Sequence, residues 1–195
     1  YFGANTVLPF DRARYSGAVI LMNENIGLFS HRRLLINYAY KVKLGKGWLN
    51  MGVQGGVMNE GFEYDELEIT DKNDPAFPNS GADGSGADIG AGVYYYNNGY
   101  YLGLSATHLN SPRVYYSKEG DRAAYLDIKP AFYSIGGCNI RLNNPLLSLQ
   151  PCFQVATDGE YTRADITLRG TYEYELSRFF GGVTYSPGTS VTVLL

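Results

Sequence analysis

The sequence predicts an all-β protein, an antiparallel up-and-down barrel, and three observations carry that reading. Gly (24) and Tyr (18) are both abundant among the 195 residues, a combination that favours twisted, paired strands over helices. Stretches rich in Ala, Leu and Lys, the usual material of helices, are missing. Apolar and polar residues alternate strictly over several segments, the pattern of a strand whose two faces meet different surroundings.

The alternation is clearest in three places. From Ile36 to Leu44, one face reads Ile36, Tyr38, Tyr40, Val42 and Leu44, and the other Asn37, Ala39, Lys41 and Lys43. From Leu49 to Val57, Leu49, Met51, Val53 and Val57 oppose Asn50, Gly52, Gln54 and Gly56. From Ala164 to Leu176, Ala164, Ile166, Leu168, Tyr172 and Tyr174 oppose Asp165, Thr167, Arg169, Thr171 and Glu173. Extended to the whole chain, alternation and turn signals give about 11 strands. They begin near Tyr1, Tyr15, Arg32, Trp48, Ala87, Tyr100, Ala123, Leu147, Arg163, Phe179 and Ser190.

Every second connection is short: Gly45 to Gly47, Asn97 to Gly99, Asn143 to Leu146, and Ser177 to Arg178. Longer ones lie between, the most extended being 59–86 and 110–122. Outer-membrane barrels show this asymmetry, with tight periplasmic turns and longer outside loops, which assigns Asn97, Asn98 and Gly99 to the periplasmic rim. An odd strand number does not close such a barrel, so terminal strands are expected to be missing. The chain starts at Tyr1 with neither an initiator Met nor a signal peptide, as a processed or truncated product would. No linker, repeat or low-complexity tract divides it, and residues 1–195 read as one barrel domain.

Alternation alone does not say which face is inside, because a soluble ligand-binding barrel turns its apolar side chains inward. Two features favour lipid outside. Aromatics crowd the strand ends beside short turns, at Trp48, Tyr94 to Tyr96, Tyr100 and Tyr101, and Phe179 and Phe180, the depth at which interfacial girdles sit. The strand number also exceeds the roughly eight of a small ligand-binding barrel. No apolar run is long enough for a membrane helix, but a membrane strand needs only about 9–11 residues. The expected lipid-facing residues include Tyr38, Val53, Ile166 and Tyr172, and the expected lumen-facing ones Lys41, Lys43, Asp127, Lys129, Arg169 and Glu173.

Few residues invite chemistry. The segment from Glu60 to Asp88 holds nine of the 19 acidic residues with only Lys72 opposing, so it reads as a solvated loop. Its carboxylates match no calcium-loop spacing. As a long irregular excursion, it is the candidate partner-contact loop, through Glu63, Asp65, Glu66, Glu68, Asp71 and Asp74. Gly84, Gly86, Gly90 and Gly92 precede no helix that would point N–H groups at a phosphate. Ser105 and the nearby His108 face opposite sides of an extended strand and make no catalytic pair, and His31 reads as structural. No catalytic, cofactor-binding or metal-binding residue is assigned. Cys138 and Cys152 flank one short turn, but Cys138 shares its face with Ile140 and Leu142 and Cys152 with Ser148, Gln150 and Gln154 on the opposite side, which predicts two free thiols. A net charge of −3 without a basic cluster argues against nucleic acid.

Three segments resemble the PorP/SprF-type membrane proteins of the type IX secretion system in Bacteroidota. They are Gly17 to Gly27 (GAVILMNENIG), Asn37 to Gly45 (NYAYKVKLG) and, above all, Tyr100 to Pro112 (YYLGLSATHLNSP), with a weaker match from Pro151 through Gly182 to Tyr185. Glu24 stands where an Asp is common in that family, and the family's N-terminal segment and last strands have no counterpart. The resemblance implies an outer-membrane barrel that helps type IX cargo, including gliding adhesins, reach or stay on the cell surface. It also implies a periplasmic OmpA-like peptidoglycan-binding partner, and no enzymatic activity, metal or cofactor. Asn23, Gly27, His108 and Pro112 transfer as positions at strand-to-loop junctions. The alternatives are an outer-membrane channel for small solutes and a soluble β-barrel that binds an apolar ligand.

Overall fold

Fourteen strands and no helix make up the described residues of the computed structural model, which are 2–8, 14–27, 29–62, 82–116, 124–175 and 177–194. The first six are β1 (Phe2–Leu8), β2 (Tyr15–Ile26), β3 (Phe29–Leu44), β4 (Gly47–Phe62), β5 (Ala82–Tyr96) and β6 (Tyr100–Thr107). The rest are β7 (Arg113–Tyr116), β8 (Ala124–Asp127), β9 (Ala131–Cys138), β10 (Ile140–Arg141), β11 (Leu147–Thr157), β12 (Thr162–Tyr174), β13 (Ser177–Ser186) and β14 (Ser190–Leu194).

Each main strand pairs with its neighbour in sequence, in the order β1-β2-β3-β4-β5-β6-β9-β11-β12-β13-β14, with β10 also on β11. This is the up-and-down meander of 11 main strands that the alternation predicts. The seventh strand is the exception. Residues 124–127 do not join the main sheet but pair with β7 as a separate two-stranded hairpin, and the main strand begins later, at Ala131. Arg113–Tyr116 carries its own short alternation inside what reads as a loop. The turn expected at Ser177 and Arg178 is also displaced. Both residues belong to β13, opposite Tyr174 and Glu173, and the chain reverses at Glu175, which has φ +52°.

By its contacts the chain divides into two compact units, 1–39 with 52–91 and 107–130, and 40–51 with 92–106 and 131–195. In the second unit, register sorts the residues into transverse rows. Gly136, Phe153, Ile166, Tyr185 and Val191 form an apolar row; Gly137, Cys152, Thr167, Thr184 and Thr192 form the polar row next to it. Pro151, Leu168, Val183 and Val193 are apolar again. Because side chains alternate across a strand, the first and third rows share one face and the second occupies the other. Ile166, Leu168, Val183, Tyr185, Val191 and Val193 are all exposed, so nothing within the unit covers the apolar face.

Local chemistry explains the interruptions and turns. β9 and β10 meet β11 in one continuous register, and the gap at Asn139 lies beside Pro151, which has no N–H to offer the ladder. Asn139 N–H donates instead to the Gly99 carbonyl at 2.8 Å. Cys152 stands opposite Gly137, which sends its neighbour Cys138 to the other face, and both thiols are free. Gly45, with φ +58°, permits the two-residue turn between β3 and β4. The Asn97 side chain accepts from Gly99 N–H at 2.8 Å and Tyr100 N–H at 2.9 Å, closing the turn between β5 and β6.

In the first unit, β1 pairs with β2 from Phe2↔Leu21 to Leu8↔Tyr15. Leu34, Ile36, Tyr38, Val53, Val57 and Ile89 are exposed along β3, β4 and β5. Met58 and Val114 are buried, and both belong to this unit.

Candidate functional site

In the first unit His31, Arg33, Glu60 and Asp88 lie on the face opposite Ile36, Val57 and Ile89. On β3, His31 and Arg33 alternate with Leu34 and Ile36; on β4, Met58 and Glu60 alternate with Val57; on β5, Gly86 and Asp88 alternate with Ala87 and Ile89. Glu60 is 3 % exposed and Asp88 2 % exposed. A carboxylate that deep is tolerated only with a partner, because an uncompensated buried charge is costly. Each is met by one of the chain's two histidines. His31 Nδ1–H donates to Glu60 Oε2, with Arg33 Nη2 3.6 Å from Glu60 Oε1. His108 Nδ1–H donates to Asp88 Oδ1 at 2.9 Å. In both pairs the acceptor is a carboxylate, so Nδ1 is the donor of the shared bond.

His108 also begins a sharp reversal. It has φ +56° and Ser111 φ +44°, conformations that L-residues adopt at a cost, and the Ser111 N–H closes the turn on the His108 carbonyl at 2.9 Å. Between them, Asn110 holds the backbone of β5 with both ends of its amide. Its Nδ2 donates to the Ala87 carbonyl at 2.8 Å, and its Oδ1 accepts from Ile89 N–H at 3.2 Å. Leu109 N–H adds a bond to the Ile89 carbonyl at 2.9 Å. The base of the β7–β8 hairpin is tied by Arg113 Nε to Asp127 Oδ1 at 2.5 Å and by Ile128 N–H to the Pro112 carbonyl at 3.1 Å.

In the second unit the polar face of β11–β13 is bonded across the strands. Arg169 Nε donates to Gln150 Oε1 at 2.9 Å, and Thr167 and Thr184 share a hydroxyl bond of 2.7 Å. Arg178 pairs with Glu173, Ser186 donates to Asp165, and Arg163 bonds Asp165 at 3.0 Å. Gln150, Cys152, Thr167 and Arg169 line a recess of about 520 Å³ with Asn97 to Tyr101 at the short turn. Close by, Lys41 Nζ lies 4.6 Å from the Trp48 ring and 5.4 Å from the Tyr96 ring, a cation held over two aromatic faces. Tyr95 packs on Tyr100 with centroids 5.7 Å apart, and Tyr94 on Tyr101 at 6.0 Å.

The residues singled out from sequence fall into three groups. Tyr38, Val53, Ile166 and Tyr172 are 45, 58, 55 and 37 % exposed. Lys41, Lys43, Arg169 and Glu173 stand on main-sheet strands. Asp127 does not; it ends β8 in the separate hairpin, and Lys129 follows it in the segment leading to β9, so neither belongs to a wall strand. The cause is the misplaced seventh strand. Glu63, Asp65, Glu66, Glu68, Asp71 and Asp74 lie outside the described residues. The two histidine–carboxylate pairs are not read from the sequence: Glu60 and Asp88 bound the segment expected to be a solvated loop, whereas they lie in β4 and β5 at 3 and 2 % exposure, because the strands run further into that segment than their alternation shows.

No curated protein sequence matches the chain. The family model for type IX secretion system membrane protein PorP/SprF matches residues 1–195, the whole sequence, including the Tyr100 to Pro112 segment whose end builds the reversal at His108. An all-β up-and-down sheet and a secretion-system membrane family together place the protein in the bacterial outer membrane, as a component of secretion machinery with protein partners there, and not in an enzyme family. The chain belongs to the PorP/SprF family of type IX secretion system membrane proteins.

Proposed function

We propose that residues 1–195 form a single outer-membrane β-barrel domain that supports secretion or surface anchoring of type IX cargo, gliding adhesins included, through protein–protein contacts. The observation that carries this reading is the difference between the two faces of β11–β14. One face is an uncovered apolar surface, suited to lipid and unsuited to water. The other is polar, and its Arg169, Thr167, Glu173 and Asp165 are bonded to neighbouring strands instead of being aimed at a passing solute. In this reading Tyr38, Val53, Ile166 and Tyr172 face lipid, and Lys41, Lys43, Arg169 and Glu173 face the lumen. The contacts are made by a periplasmic OmpA-like peptidoglycan-binding partner at the short turns and by cargo at the acidic loop through Glu63, Asp65, Glu66, Glu68, Asp71 and Asp74.

The test is affinity purification of the full-length protein from detergent-solubilised outer membranes, with cargo counted on the cell surface. Recovery of the periplasmic partner, and loss of surface cargo when the six acidic residues are changed to Ser at unchanged barrel level, is the expected result. A barrel that carries a steady solute current in planar bilayers, recovers no partner and keeps its surface cargo in the six-residue variant would instead be a diffusion channel.

A further inference from the structure

We infer that residues 107–112 form a clamp that seats the β7–β8 hairpin on the polar face of β4 and β5; resting on the reading above, in which that face lines the lumen, the hairpin is an internal plug of the barrel and not a surface loop. The face is fixed by parity. The hairpin's Val114 is completely buried, and a Cβ added at Gly86 would sit 3.5 Å from Val114 Cγ2, 3.5 Å from Pro112 Cβ and 3.9 Å from Met58 Cγ. Gly86 and Met58 belong to the face that also carries Asp88 and Glu60, and the exposed Val57 and Ile89 are on the other. A hairpin lying over the exposed apolar face would have covered Val57 and Ile89.

The seat has the features of a built contact. Glycines at 84, 86 and 90 remove side chains from the part of β5 that alternates with Ser85, Ala87 and Ile89, which lets another backbone approach closely. Met58 and Val114, both buried, are the ones that meet there. The turn feeding the hairpin holds His108 and Ser111 at positive φ, a strain that persists only where the surroundings enforce it. Here the enforcement comes from the Asp88 carboxylate on His108 and from the two-ended grip of Asn110 on β5. Without that reversal the chain would continue along β6 and the hairpin would extend outward.

The test is disulfide trapping in the full-length protein in outer-membrane vesicles, in a Cys138→Ser, Cys152→Ser background. The pair Gly86→Cys with Pro112→Cys brings two Cβ atoms to 3.5 Å, at the near edge of the disulfide span. Ala87→Cys with Pro112→Cys is the control from the opposite face. With folding verified by heat-modifiable migration on gels, the first pair is expected to lock in most molecules under mild oxidant and the control to stay reduced. Asn110→Ala, which removes both bonds of the grip, should shift the hairpin about tenfold toward the undocked state, read as slower locking and as more frequent channel openings in planar bilayers. The locked protein should give no openings. A folded first pair that does not lock, a control that locks as readily, or equal opening frequency in the wild type, Asn110→Ala and the locked protein would each overturn the plug. Should the Pro112 variant fail to fold, Gly86→Cys with Val114→Cys, against Ala87→Cys with Val114→Cys as control, decides the question, since Val114 Cγ2, the place the new sulfur takes, is 3.5 Å from the Cβ at 86.

Discussion

The two units solve the same problem, a strand with one polar and one apolar face, by different means. In the second, polar neighbours satisfy one another strand by strand: Thr167 with Thr184, Arg169 with Gln150, Glu173 with Arg178. In the first, the polar face holds two nearly inaccessible carboxylates, two residues at positive φ beside one of them, and a hairpin that does not belong to the main sheet. A ladder of paired polar groups follows local rules, and the second unit's one described non-glycine residue at positive φ, Glu175, sits at a hairpin turn. Buried charge and strained backbone break those rules, and such departures concentrate where structure has a task beyond standing up. The difference lies in how charge is accommodated, paired from strand to strand in the second unit and buried against histidine in the first.

The comparison breaks most readily at Glu60. His31→Ala removes the hydrogen-bonded partner of a carboxylate that is 3 % exposed and leaves only Arg33, 3.6 Å from the other oxygen. The expected loss is about 3 kcal/mol, the low end for a broken buried pair because Arg33 remains. The double variant His31→Ala, Glu60→Gln should recover most of it, since no charge is left stranded. Equilibrium refolding into lipid vesicles under a urea gradient measures both. Equal losses in the single and double variants would mean that the pair is solvated, and the contrast between the units would disappear.

A smaller effect is expected in the second unit, where adjacent residues of β12 separate the two faces. Ile166→Arg places a cation on the exposed apolar face and should cost about 2 kcal/mol in bilayers, whereas Thr167→Arg on the polar face should cost under about 1 kcal/mol. Run in detergent micelles, where the chain has more freedom to cover the charge, the gap between the two should narrow. An Ile166→Arg variant no less stable than Thr167→Arg in lipid would remove the reason for turning that face outward.

Much of this architecture is legible in the sequence, and what is not has identifiable causes. The faces of β3, β4 and β12 follow from period-two alternation alone, because each strand separates two unlike environments and a slip of one residue would invert them. The free thiols follow from the same parity. The β7–β8 hairpin was harder to see: Arg113–Tyr116 is four residues long, too short for alternation to stand out, and its docking depends on Gly86 and Met58, more than 25 residues away in sequence. The histidine–carboxylate pairs are long-range as well, 29 residues apart for His31 and Glu60 and 20 for His108 and Asp88. Parity names the face on which such residues meet but not the register that brings them together. The expectation that Asp127 lies on a strand of the meander fails for the same reason, since its strand pairs with β7.

The smallest expected effect tests whether strand spacing in the first unit is as tight as its buried face implies. Gly55 and Gly56 are neighbours on β4 and face opposite ways. A Cβ at Gly55 would meet nothing within 4 Å, while one at Gly56 would run into the Leu34 carbonyl oxygen and fall 2.8 Å from Leu35 Cδ2. Since the first of these obstacles is backbone, relief requires β3 or β4 to move, and Gly56→Ala should cost about 1–2 kcal/mol, as overpacking does. Gly55→Ala meets no obstacle and reduces the freedom of the unfolded chain, so it should be neutral or stabilising by a few tenths of a kcal/mol, on the order of the usual Gly-to-Ala gain. The difference between two adjacent alanines cancels most of what they share in the unfolded state, which makes it a cleaner reading of the β3–β4 approach than either value alone. A difference near zero would mean that the strands slide apart at little cost, and β4 would then be a poor base for the Met58 contact that holds the hairpin.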